Sequence, residues 1–197
     1  MARITIKESR GSESVIIDGY VNVTGRDSRP IPDGKGGFFV EKIQQGTFER
    51  ALKKAKEVKI LLNHSWDRVL GSTNSNLRLS EDVIGLRAHA EITDPDVVKK
   101  AKEGKLRGWS FRFFNPTEQR ADMPNGMQQR IITDMEMDEV SLIDETMRPW
   151  YPSTTVEARA ETDIVYEIRA EEFEIENEEK PDHSQLKKLI EKYGGKV

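Results

Sequence analysis

The sequence predicts a mainly β domain of α+β type: a partly closed barrel with a few short helices, followed by a charged C-terminal tail. Three observations carry this. Short runs of β-branched and aromatic residues recur between Ile4 and Ile143, about seven or eight of them, without the strand–helix rhythm of a doubly wound sheet. Helix start and stop signals occur in only two places before the tail, around Thr47 and around Pro95. From about Glu157 onward the chain is dominated by charge, so residues 1–156 are read as the folded domain and 157–197 as a tail.

The elements follow in order. Ile4–Ile6 and Ser14–Val23 are strands rich in β-branched residues. Gly25–Gly37 holds two prolines and four glycines among charged residues, too long for a tight hairpin, and reads as a mobile loop. Phe38–Ile43 returns to the core, and Gly46–Ala55 is a short helix with Thr47 as N-cap. Val58–His64 is a buried strand that delivers His64 to its end.

Leu77–Leu79 and Leu86–Ile92 form a strand pair joined through residues 80–85. Asp94 caps a helix that has Pro95 in its first turn, runs over Asp96–Glu103 and stops at Gly104. The next strand, around Ser110, alternates: Trp109, Phe111 and Phe113 share one face, while Gly108, Ser110 and Arg112 share the other. Pro116–Gln129 reads as a long hairpin loop, and Ile131–Ile132 and Met135–Ile143 as two further strands. In the tail, Leu186, Leu189, Ile190 and Tyr193 recur at helical spacing and predict a short amphipathic helix.

Composition narrows the function. The net charge is −4, and the short lysine groups at 53–56 and 99–102 sit at helical spacing as solvated faces, so no nucleic-acid partner is expected. The chain has no cysteine, which removes thiolate catalysis, disulfides and cysteine-based zinc sites. No cofactor or metal site is expected, since His64, His89 and the carboxylates lack metal-ligand spacing. No apolar run has the length of a membrane span and the first residues lack a signal-peptide block, so a soluble cytoplasmic protein is expected.

Chemistry is suggested by Ser110, His64 and Glu139. A small hydroxyl interrupts an aromatic strand at Ser110, and a serine hydroxyl becomes a nucleophile only when a base accepts its proton. The imidazole of His64 suits that role, with a carboxylate on its other ring nitrogen to fix the tautomer. Each residue also has a bland reading: a structural histidine at a strand end, a serine on a polar strand face, a carboxylate in an alternating strand. Asp138 and His89 compete with Glu139 for the third position. Strand alternation puts Asp138 and Glu139 on opposite faces, so only one reaches the imidazole unless the strand bulges. Gly108 and the turns near Ser110 are where oxyanion donors are sought.

Five blocks resemble, in order and spacing, the prohead (capsid maturation) serine proteases of tailed phages, over roughly Val15 to Val156. They are Leu62-Asn63-His64, Leu70-Gly71, Leu79 to Leu86, Gly104 to Phe113, and Glu139 to Ile143; Gly19-Tyr20 and Gln45 to Phe48 also look like early blocks of that family. The resemblance implies a herpesvirus-assemblin-like barrel and an endopeptidase that trims scaffold and major capsid protein inside the immature shell, in the host cytoplasm. It also implies removal of the protease's own terminal segment in many members. Carried over, the family histidine falls on His64, the serine on Ser110 and the acid on Glu139; His89 precedes Ser110, whereas the third member in the family follows the serine. Arg112 departs from the family, in which that position is commonly small. Related assemblins are activated as dimers, which leaves a homodimer open here. A different class of function, a non-enzymatic capsid scaffold or assembly chaperone, is suggested by the acidic tail and its terminal helix.

Overall fold

The computed structural model describes residues 3–9, 12–147, 151 and 174–177. The strands are β1 (Arg3–Ser9), β2 (Ser12–Val23), β3 (Ile31–Pro32), β4 (Phe38–Ile43), β5 (Lys59–Leu62), β6 (Ser65–Ser72), β7 (Leu77–Glu81), β8 (Gly85–Ile92), β9 (Leu106–Asp122), β10 (Gln128–Asp144) and β11 (Glu174–Asn177). Two helices accompany them, α1 (Thr47–Lys54) and α2 (Pro95–Lys102). The protein is therefore mainly β, as its alternating runs predict. One sheet has the order β11-β1-β2-β8-β7; the other has the order β3-β4-β10-β5-β6, with β9 paired to β10. Among the described residues neither sheet closes on itself, so the strand pairing does not by itself establish the partly closed barrel expected from the sequence.

The long strand β10 organises the second sheet. Its first half pairs in parallel with β4 and its second half in parallel with β5, while β9 runs antiparallel along its other edge. This corrects two sequence readings. Residues 116–122 continue β9 rather than forming a loop, and the turn is confined to Met123–Met127, where Met123 N–H donates to Met127 O at 2.9 Å. Pro116 is tolerated because it falls at a register shift, where no ladder donor is needed. The two strands expected over 131–143 are one strand interrupted by such shifts. β6 escapes sequence reading because its residues neither alternate cleanly nor bury deeply.

The expected mobile loop over residues 25–37 is tied down: Ser28 N–H donates to Glu41 O and its hydroxyl accepts from Glu41 N–H at 2.9 Å, and β3 pairs with β4. The N-cap of α1 is Gly46, with φ 83°, not Thr47; Glu81 from β7 accepts from Gly46 N–H and Glu49 N–H at 2.7 Å each. A carboxylate from another strand thus does the work expected of a local hydroxyl. Thr47 is buried instead, its hydroxyl donating to Thr133 O at 3.1 Å. α2 matches expectation: Asp94 Oδ1 accepts from Asp96 N–H and Val97 N–H, and Gly104 follows with φ 66°.

One core lies between the sheets and helices, drawing Val15, Ile17 and Leu86 from the first sheet, Ile60, Val140 and Leu142 from the second, Phe48 from α1 and Val97 from α2. Trp109 and Phe111 point into it, and Phe111 meets Phe48 edge-on at 5.2 Å and Tyr151 at 5.1 Å. Burying each such ring contributes about 2–3 kcal/mol, enough to fix which face of β9 is inward. Ser110 must then face outward. The tail helix expected over Pro181–Tyr193 lies outside the described residues. Within the stretch read as tail, β11 pairs in parallel with β1, Ile175 opposite Ile4.

Candidate active site

Leu62 of β5 pairs with Ser65 of β6, which leaves Asn63 and His64 as a two-residue hairpin turn. Their φ angles are 54° and 58°, the positive pair that marks a type I′ turn. Asn is at home in that conformation; at the second position glycine is usual and a histidine is strained. The turn is held from β10. Asn63 N–H donates to Leu142 O at 2.8 Å, Asn63 Oδ1 accepts from Asp144 N–H at 3.0 Å, and Asn63 Nδ2 donates to Thr146 Oγ1 at 3.3 Å. Burial of Asp144 opposes its ionisation, but the hydroxyl and N–H of Thr146, the Asn63 amide and Lys100 outweigh it and hold the carboxyl down at about 2. Lys100 Nζ lies 3.2 Å from that carboxylate.

So placed, His64 Nδ1 lies 2.6 Å from Glu139 Oε1. A carboxylate oxygen only accepts, so Nδ1 carries a proton in this pair and Nε2 is the ring nitrogen left to exchange one. Glu139 is 1% exposed, and its other oxygen accepts from Ser141 Oγ at 2.6 Å. Ser141 Oγ also accepts from the backbone N–H of His64 at 3.1 Å. The His64 side chain itself is about one-third exposed.

Ser110 stands directly opposite Ser141 in the β9–β10 ladder, and Arg112 opposite Glu139, so all four side chains share the sheet's outer face. Among the described residues the Ser110 hydroxyl makes no hydrogen bond. The structure therefore joins His64 to Glu139 and sets Ser110 on the adjacent strand, across from the serine that both of them touch. Gly108 is buried in the ladder opposite Ile143, with φ 151°.

The rival acids are placed elsewhere. The ladder shifts register between Met137 and Glu139, and Asp138 is the extra residue of this bulge. The bulge turns Asp138 to the same side as Glu139, where it pairs with the Arg112 guanidinium. That pairing is the main reason Arg112 is held more firmly charged than an ordinary arginine. The guanidinium also lies 5.0 Å from the centre of the half-exposed Trp66 ring. His89 belongs to the other sheet, where its Nδ1 is 3.1 Å from Asp18 Oδ2. Among the described residues no three metal-ligating side chains gather in one cluster. Sequence reasoning assigned no role to Asn63 or Ser141; the Glu139-x-Ser141 spacing, two residues apart on one strand face, is the signal that pointed to the second.

A cavity of about 250 Å³ lies apart from these residues, lined by Asp33, Lys35, Phe38, Arg120, Gln128 and Arg130 among others. Among the described residues no helix is long and apolar enough to cross a membrane.

No curated protein and no solved structure matches the chain significantly. The family model described as caudovirus prohead serine protease matches residues 2–167, most of the chain, a range that includes His64, Ser110 and Glu139. With that match over most of its length, the chain belongs to the caudovirus prohead serine protease family.

Proposed function

We propose that Ser110, His64 and Glu139 form the catalytic triad of a capsid-maturation endopeptidase that cleaves the major capsid protein and its scaffold segment. The observation that carries this is the 2.6 Å bond from His64 Nδ1 to a buried Glu139, on the sheet face that also bears Ser110. In the reaction, the Ser110 hydroxyl adds to the scissile carbonyl as its proton passes to His64 Nε2. The tetrahedral oxyanion collapses, the C–N bond breaks, and the imidazolium gives its proton to the leaving amine. Water, deprotonated by the same nitrogen, then releases the acyl group from Ser110. Glu139 stays ionised, holding the ring and balancing its transient charge.

The two open sheets are taken as parts of an assemblin-like, partly closed barrel spanning residues 1–156. The protein works inside the immature shell in the host cytoplasm, and its own residues beyond 156 are a further substrate. An acidic segment that tethers the enzyme to the assembling shell and is then cut would tie activity to encapsidation. Intact-mass measurement after coexpression with the matching capsid protein tests this. Wild type is expected to trim both proteins, and Ser110→Ala neither. Full trimming by Ser110→Ala would overturn the triad, and no trimming in either sample would favour a scaffold role.

A further inference from the structure

Ser141 closes a ring of hydrogen bonds around the candidate base. The backbone N–H of His64 donates to Ser141 Oγ at 3.1 Å, Ser141 O–H donates to Glu139 Oε2 at 2.6 Å, and Glu139 Oε1 accepts from His64 Nδ1 at 2.6 Å. The direction of every bond is fixed. An N–H can only donate, so the hydroxyl proton is free to go to the carboxylate, which can only accept. His64 is thereby held twice, by its backbone through the hydroxyl and by its ring through the carboxylate.

The ring answers a need set by the fold. His64 occupies a left-handed position that disfavours non-glycine residues, so its backbone must be held for its side chain to be aimed. Asn63 secures the first residue of the turn from β10, and Ser141 secures the second. Ser141 is completely buried, and its partner across the ladder is Ser110. A single backbone pairing therefore sets nucleophile, base and acid in register.

We infer that Ser141 is a positioning residue of this protease, fixing Glu139 and the backbone of His64 through one hydroxyl. The inference rests on the triad proposed above. Ser141 cannot meet substrate because it has no exposed surface, so its effect lies in kcat rather than KM. Ser141→Ala leaves Glu139 Oε2 and His64 N–H without this partner. The other charges on this face are Arg112 and Asp138, which pair with each other, and Lys59, opposite Glu139 on β5, whose Nζ lies 5.4 Å from the centre of the Trp66 ring; all three are unchanged in the variant. With the hydroxyl proton gone, Glu139 turns more of its negative charge on the imidazolium, which favours the protonated ring. The acid limb of the kcat/KM profile then moves to higher pH.

The test uses the full chain, with cleavage of the capsid protein followed across pH. Ser110→Ala is assayed first, since activity there removes the triad itself. With that control inactive, Ser141→Ala is expected to lower kcat by ~10- to 100-fold, with KM unchanged and the acid limb shifted upward. Ser141→Cys, similar in size and a weak donor, should shift both quantities in the same direction by less. In the inactive Ser110→Ala background, NMR titration of the His64 ring should show the same upward movement on adding Ser141→Ala. An unmoved ring titration and an unmoved acid limb in folded Ser141→Ala, whatever the loss of yield, would show that the serine only fills space. Should Ser141→Ala fail to fold, an unmoved limb in Ser141→Cys would overturn the inference equally.

Discussion

Glu139 and Asp138 are adjacent carboxylates of nearly identical chemistry, and one extra backbone residue separates what they do. Regular alternation would turn one of them into the core. The bulge at Asp138 brings both to the outer face, one against His64 and the other against Arg112. Replacing Glu139 by Gln should therefore lower kcat on the order of 10³- to 10⁴-fold, because the amide no longer fixes the tautomer or balances the imidazolium. Asp138→Asn should change kcat by less than ~10-fold, since an exposed ion pair contributes little. Rates of capsid-protein cleavage by the two variants check the assignment, and a reversed order would exchange their roles. The sequence showed the candidate residues but not this division. A bulge is set by how two strands slip against each other, and no residue type at 137–139 signals it.

At the scale of elements, what could be read was whatever had a local cause. The Asp94-Pro95 start of α2 and its Gly104 stop are local, and they were legible. The cap of α1 is supplied by Glu81 from β7, across more than thirty positions, and so was not. The β9–β10 ribbon was missed because its polar outer half is sustained by mutual pairing rather than by burial. β6 is an edge strand whose regularity comes from its neighbours as well. It is clasped by Asn76, which accepts from Ser72 N–H at 3.2 Å and donates to Leu70 O at 3.0 Å and to Glu91 O of β8 at 2.8 Å, linking the two sheets. A Cβ on Gly71 would stand 1.6 Å from Asn76 Oδ1, and the φ of 149° there disfavours any side chain. Gly71→Ala is thus expected to evict the Asn76 amide and lower stability by about 2–4 kcal/mol, read from the urea midpoint. Wild-type stability in that variant would mean the clasp carries no strain.

For the whole molecule, the buried Asp144 ties three parts together: the His64 turn through Asn63, the end of β10 through Thr146, and α2 through Lys100. Its carboxyl is depressed from an ordinary 3.8 to about 2. A group whose pKa is lower in the folded state favours folding above its unfolded value and loses that contribution as pH falls through the folded one. Asp144 therefore contributes about 2 kcal/mol, complete above roughly pH 4 and lost on acidification toward pH 2. Urea unfolding at about pH 5 and about pH 2.5 should show a smaller acid-induced loss for Asp144→Asn than for wild type. Equal losses would assign the acid sensitivity to other carboxylates.

The turn at Asn63-His64 has a bearing on how this protein can be improved. Asn-Gly is the pair that such a turn favours on conformational grounds alone. Selection for heat resistance would push position 64 toward glycine, and position 139 toward a residue that no longer needs an imidazole partner. Such a chain would keep both sheets and outlast its parent on heating, and under the proposed triad it would cut nothing. With His64 as the proposed base, robustness and activity are traded at one backbone angle, the φ of 58° at that residue.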